Sequence, residues 1–119
     1  MYKGAVLLVL ASLTSFFVVP SLAANKGDAK RGAKVFQAMQ CAICHTDGGN
    51  NLNPERPIKG AEFLKRYPLK DNAALEKAIR AGIPNKGMPD FGKDKLSDTD
   101  MIDLVAYIRS LSESAKKGK

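Results

Sequence analysis

Apolar positions fall along this 119-residue chain as one unbroken run followed by short periodic stripes. From Ala5 to Val19 almost every residue is apolar, and no acidic or basic residue occurs between Gly4 and Asn25. Near the other end, Met101, Leu104, Val105, Ile108 and Leu111 recur at the spacing of one face of a helix. Ser97 before Asp98 and Asp100 supplies its start signal, and Tyr107 lies beside the stripe. A first helix is predicted over Ala29 to Met39, capped by Asp28 or Gly27 and running into Cys41. Gly32 and Phe36 are four apart and share a face of it. Glycine inside a helix costs about 1 kcal/mol relative to alanine, so Gly32 points to close approach by another element. A third helix is predicted over Ala73 to Ala81. Asp71 or Asn72 starts it, Leu75, Ala78 and Ile79 form its inner face, and Gly82 stops it. A short helix around Ala61 to Arg66 ends where Pro68 restricts Tyr67. Asp47 to Asn51, with Pro54 and Pro57 after it, reads as loop. Strand alternation and internal repeats are both missing, so the predicted class is all-α.

The apolar run has the form of a cleavable secretory signal. Lys3 provides the positive start, and Pro20-Ser21-Leu22-Ala23-Ala24 provides the small residues, with cleavage after Ala23 or Ala24. An uncleaved membrane anchor is the competing reading, although the strongly apolar part is shorter than a spanning helix needs and Pro20 ends it. No twin-arginine pair is present. The expected organisation is therefore a signal over 1–24, a single domain over 25–112, and a flexible Lys-rich tail over 113–119.

Charge changes the picture modestly. The chain carries 19 Lys and Arg against 12 Asp and Glu, and only Lys3 lies in the expected signal, so the remainder keeps an excess of six positive charges. The lysines are dispersed, and an exported protein rarely meets nucleic acid, so none is expected as a partner. Collectively the charge can steer the protein onto acidic surfaces.

The chemistry is concentrated in Cys41-Ala42-Ile43-Cys44-His45, which contains both cysteines and the single histidine of the chain. C-x-x-C-H is the spacing of covalent haem attachment. Two thiols three positions apart lie on one side of a helical turn, each able to add to one haem vinyl group, and the adjacent imidazole then sits under the iron. A redox dithiol needs only the two cysteines. Structural zinc needs four ligands, which Cys41, Cys44 and His45 cannot supply.

With His45 as one axial ligand, a six-coordinate iron needs methionine, lysine, an N-terminal amine or an external molecule. Met39 lies just before the motif and Met101 belongs to the last apolar stripe. Met88 stands in the Gly- and Pro-rich Asn85-Lys86-Gly87-Met88-Pro89-Asp90-Phe91-Gly92, with enough chain after His45 to return on the opposite porphyrin face. It is the expected second ligand.

Three elements in order carry a family resemblance: Gly32 and Phe36 before the C-x-x-C-H motif, Gly-Met-Pro at Met88, and Leu104 with Tyr107 in the last helix. From about Gly27 to Ser112 the chain resembles a single-domain class I cytochrome c. More finely, Gly48-Gly49-Asn50-Asn51 and Met88-Pro89-x-Phe91-Gly92 before Leu96-Ser97-Asp98 resemble the soluble photosynthetic cytochrome c-six; Asp90 and Lys93-Asp94-Lys95 depart from that pattern. The resemblance implies a small all-α fold whose first and last helices cross at the glycine and aromatic residues. It implies one haem c on Cys41 and Cys44, with iron held axially by His45 and Met88. The family's support of the proximal imidazole by a proline carbonyl points to Pro57 or, second, Pro54. The implied function is a monomeric carrier shuttling single electrons between redox complexes, photosynthetic or respiratory, and not an enzyme. A dedicated subunit of a dehydrogenase or oxidase is the alternative, and a gas sensor or peroxidase a more distant one. Acidic redox proteins are the expected partners, with Lys86 on the docking rim. The expected compartment is the periplasm, with the thylakoid lumen or membrane anchoring as alternatives.

Overall fold

Asp28 opens the first helix of a computed structural model that describes residues 26–117; the expected signal therefore lies outside the described residues. The Asp28 carboxylate accepts the Arg31 N–H at 2.9 Å and caps helix α1, Ala29–Ala38. The predicted continuation into the cysteine motif does not occur. Gln40 adopts a left-handed conformation at φ 62°, which ends one helix and starts α2, Cys41–Cys44, in a new direction.

A single 3-10 turn, Thr46–Gly48, follows within the segment expected to be loop, bent by Asp47 at φ 52° and Gly48 at φ 78°. Helix α3 spans Gly60–Arg66 and α4 spans Asn72–Ala81, the latter capped by Asp71, whose side chain accepts the Ala74 N–H at 3.0 Å. Gly82 stops α4 at φ 61°, packed so closely on the Pro89 carbonyl that a β-carbon there would overlap it. A 3-10 turn over Pro84–Lys86 leads to an isolated antiparallel bridge between Ile83 and Met88, the one extended pairing among the described residues. Helix α5 spans Asp98–Lys117, with Ser97 Oγ accepting the Asp100 N–H. The helix thus continues through residues 113–117, part of the segment expected to be a flexible tail.

Helices α1 and α5 form the most extensive element pairing. Gly32 makes that possible: a β-carbon there would overlap the Asp103 carbonyl and lie 2.8 Å from Tyr107 Cβ. One turn further along, Phe36 and Tyr107 meet edge to face, with ring centroids 5.1 Å apart. Asp103 is buried at the crossing, where it accepts the Asp28 N–H at 2.7 Å and Arg31 Nε at 2.8 Å. The Arg31 hydrogen bond, and then the Asp28 N–H, hold its carboxyl below the usual aspartate value.

The core combines Phe36, Phe63, Leu75, Ile79 and Leu96 with Met101, Leu104, Val105 and Ile108 of α5. Each fully buried aliphatic or aromatic side chain contributes roughly 1.5–3 kcal/mol. Leu111, expected to complete the stripe, is only half-buried, while Ser112 is buried and its Oγ accepts the Gly60 N–H at 3.0 Å. Arg109 is buried too. Its guanidinium lies 5.9 Å from the centre of the Phe63 ring and donates to Asn72 Oδ1 and to the carbonyls of Tyr67 and Pro68, tying the α3–α4 turn to α5.

Candidate functional site

A largely apolar crevice runs between α2, the α3–α4 pair, the loop after α4 and the inner face of α5. Cys41 and His45 line one side and Ile83, Met88 and Phe91 another, with Leu75, Ile79, Leu104 and Ile108 forming its floor. It therefore brings together Cys41, His45 and Met88 from positions up to 47 residues apart. Cys44, one helical turn after Cys41, is outside the lining. Neither cysteine is paired. Met101 is fully buried in the core and Met39 packs against that core, which leaves Met88 as the methionine of the crevice.

His45 Nδ1 lies 2.8 Å from the Gly49 carbonyl oxygen. A carbonyl can only accept, so Nδ1 carries the proton and Nε2 keeps its lone pair for a metal. This corrects the expected support from Pro57 or Pro54. The turn at Gly48 brings the Gly49 carbonyl back onto the ring, whereas the Pro57 carbonyl accepts Arg66 Nη2 at 2.9 Å. Asn51 fastens this loop to the motif: its N–H reaches the Cys44 carbonyl and its Nδ2 the Ile43 carbonyl, both at 2.8 Å.

Burial, and secondarily the neighbouring Cys44, pushes the Cys41 thiol above its ordinary value. A nucleophilic redox dithiol requires the opposite shift. No group of three or more His, Cys, Asp or Glu side chains able to hold a metal ion occurs among the described residues.

On the opposite side, backbone hydrogen bonds join Ile83 and Met88 in both directions at 2.8 and 3.2 Å. Gly87, at φ 86°, and Pro89 turn the chain on either side of Met88. The residues fit a porphyrin with carboxylate substituents. Arg56 and Arg66 stand in a mostly apolar lining that also includes Asn50 and Tyr67, and Arg66 Nε is buried without a hydrogen-bond partner among the described residues. A haem propionate would supply the acceptor it lacks. Dispersed charges seldom announce such a role in sequence, and neither Arg56 nor Arg66 stands out there.

Leu52 and Ile83 are exposed beside Lys86 and Gly87, and Ile43 is exposed between the cysteines. A separate depression lined by Gln37, Thr46, Asp47, Lys59 and Tyr107 includes none of Cys41, His45 or Met88. No helix among the described residues is long and apolar enough to cross a membrane.

Comparison with known proteins agrees with this geometry. The family model described as cytochrome c oxidase, cbb3-type, subunit III matches residues 27–108. Cytochrome c6 of Picosynechococcus sp. is 38% identical over 94% of this chain and 95% of its own length, and that of a Nostoc strain is 35% identical over 87% and 86%. Among solved structures, cytochrome c6 of the diatom Phaeodactylum tricornutum superposes with a TM-score of 0.59 at 30% identity, covering 78% of this chain and all of that one. OmcF, an outer-membrane cytochrome of Geobacter sulfurreducens, gives 0.56 at 27% identity, over 68% and 98%. Helices crossing at Gly32, a C-x-x-C-H turn facing a methionine loop, and full-length similarity lead to one conclusion: the chain belongs to the class I cytochromes c, is cytochrome c6-like, and is an electron carrier with one covalently bound haem c rather than an enzyme.

Proposed function

We propose that this protein shuttles single electrons between redox partners through a haem held by Cys41 and Cys44 as thioethers, with His45 and Met88 as the axial iron ligands. The supporting observation is that Met88 alone of the described methionines lines the same crevice as Cys41 and His45. Haem iron supplies a one-electron ferric/ferrous couple, and a methionine ligand raises its potential. The chain's own residues do the rest. Gly49 fixes the His45 tautomer, Arg66 and Arg56 neutralise propionate charge, and the apolar walls exclude water. Occupying both axial positions leaves no site for substrate, which suits a carrier.

Docking takes place at the exposed apolar residues Leu52, Ile83 and Ile43, beside Lys86, on an acidic partner surface. The contact is small and transient, because a carrier must also leave. The protein works as a monomer after export. The periplasm is the proposed compartment, with the thylakoid lumen or anchoring through an uncleaved signal as alternatives.

Redox titration with simultaneous visible spectra tests the ligand set. Met88→Ala is expected to retain covalent haem, lose the methionine-to-ferric-iron band, bind external ligands and titrate at a lower potential. An unchanged potential and spectrum would remove Met88 as a ligand.

A further inference from the structure

Arg80, near the end of α4, belongs to no motif, yet its guanidinium is the junction on which the segment after Met88 closes. Nη1 donates to the Phe91 carbonyl at 3.1 Å and to the Leu96 carbonyl, and Nη2 reaches Asp98 Oδ1 at 2.9 Å. The Arg80 carbonyl in turn accepts the Phe91 N–H at 3.2 Å. Its side chain is 16% exposed.

We propose that Arg80 is a positioning residue for the axial methionine, an inference that rests on Met88 being the ligand. Met88 lies between two clips. On its N-terminal side the Ile83 pairing holds it, and three residues later the Arg80–Phe91 pair closes the loop against α4. The same helix contributes Leu75 and Ile79 to the crevice, so Arg80 joins the ligand-bearing loop to the wall it faces. The carbonyl contacts carry this role. Asp98 is 61% exposed and also pairs with Lys93 at 3.1 Å, and an ion pair so placed contributes little. One planar guanidinium spans two carbonyls and a carboxylate; a lysine ammonium, a point donor, cannot hold all three in that geometry. Without the fork, the loop samples conformations in which Met88 is withdrawn, and an external ligand captures them.

The test is imidazole binding to the ferric holoprotein, read through the methionine-to-ferric-iron band together with the midpoint potential. Apparent affinity scales with the fraction of molecules whose sixth position is open, so Arg80→Gln should bind imidazole about tenfold more tightly and lower the potential, with Arg80→Lys intermediate. Asp98→Asn, which keeps both carbonyl contacts, should match wild type. Gly32→Ala, destabilising but remote from the loop, separates positioning from a general loss of stability. Wild-type affinity and potential in Arg80→Gln would overturn the proposal, as would an equal gain in affinity in Gly32→Ala. If Arg80→Gln yields no holoprotein, Arg80→Lys decides, and wild-type behaviour there overturns it. A wild-type protein without the methionine band refutes Met88 ligation itself and this inference with it; a normal band together with wild-type imidazole affinity in Arg80→Gln refutes only the role of Arg80.

Discussion

Gly32 lies where a β-carbon would overlap the Asp103 carbonyl, so its side chain of one hydrogen sets the distance between α1 and α5. Gly32→Ala gains helix propensity and loses that approach. Overpacking normally dominates, and the expected cost is about 1–3 kcal/mol, read from the denaturant midpoint of the holoprotein. Wild-type stability would mean that the helices separate without penalty. This position is legible in sequence because a glycine inside a helix, four residues before an aromatic, weakens the helix unless a neighbour needs the space. The acceptor for His45 is not. It depends on the positive φ of Gly48, and a string of glycines and asparagines does not reveal which carbonyl turns inward. Arg66 is equally hidden, since its role comes from facing an apolar crevice rather than from any spacing.

At the scale of elements, the α1–α5 crossing is closed by a buried carboxylate. Asp103 accepts from Arg31 and from the Asp28 N–H, and its ionised form is favoured in the folded state. A carboxyl with a depressed folded pKa contributes stability above its unfolded value and loses it as pH falls through the lowered one. Asp103→Asn should therefore be less stable than wild type at neutral pH. The two stability curves should converge as pH drops below the ordinary value of 3.8 and wild type becomes protonated. A gap that persists unchanged to about pH 2 would show that the ionised carboxylate is not the source. The periodic elements themselves are well predicted. Helix α4 and the buried apolar positions of α5 up to Ile108 follow from 3.6-residue spacing and their caps, whereas the buried Asp103 does not. The break at Gln40 is not foreseeable, because glutamine is a good helix former and only the need to re-aim α2 against the crevice places it at φ 62°.

Across the whole molecule, residues 25–119 carry six more basic than acidic side chains, and Lys86 is exposed beside the methionine loop. Long-range attraction of this kind is screened over about 8 Å at physiological salt, so the rate of reduction by an acidic redox protein should fall as ionic strength rises in stopped-flow measurements. A flat profile would remove charge steering. The His45–Gly49 hydrogen bond has a different consequence at this scale, one of timing. It spans four residues, while the Met88 side of the crevice depends on contacts with α4 and α5. Short loops close fast and long ones slowly. The proximal half of the site can therefore form on a chain that is still largely unfolded, with the imidazole already in the correct tautomer when haem is attached. Under the proposed ligand set the Met88 loop then arrives last, so that coordination of iron by Met88 would report the completion of folding.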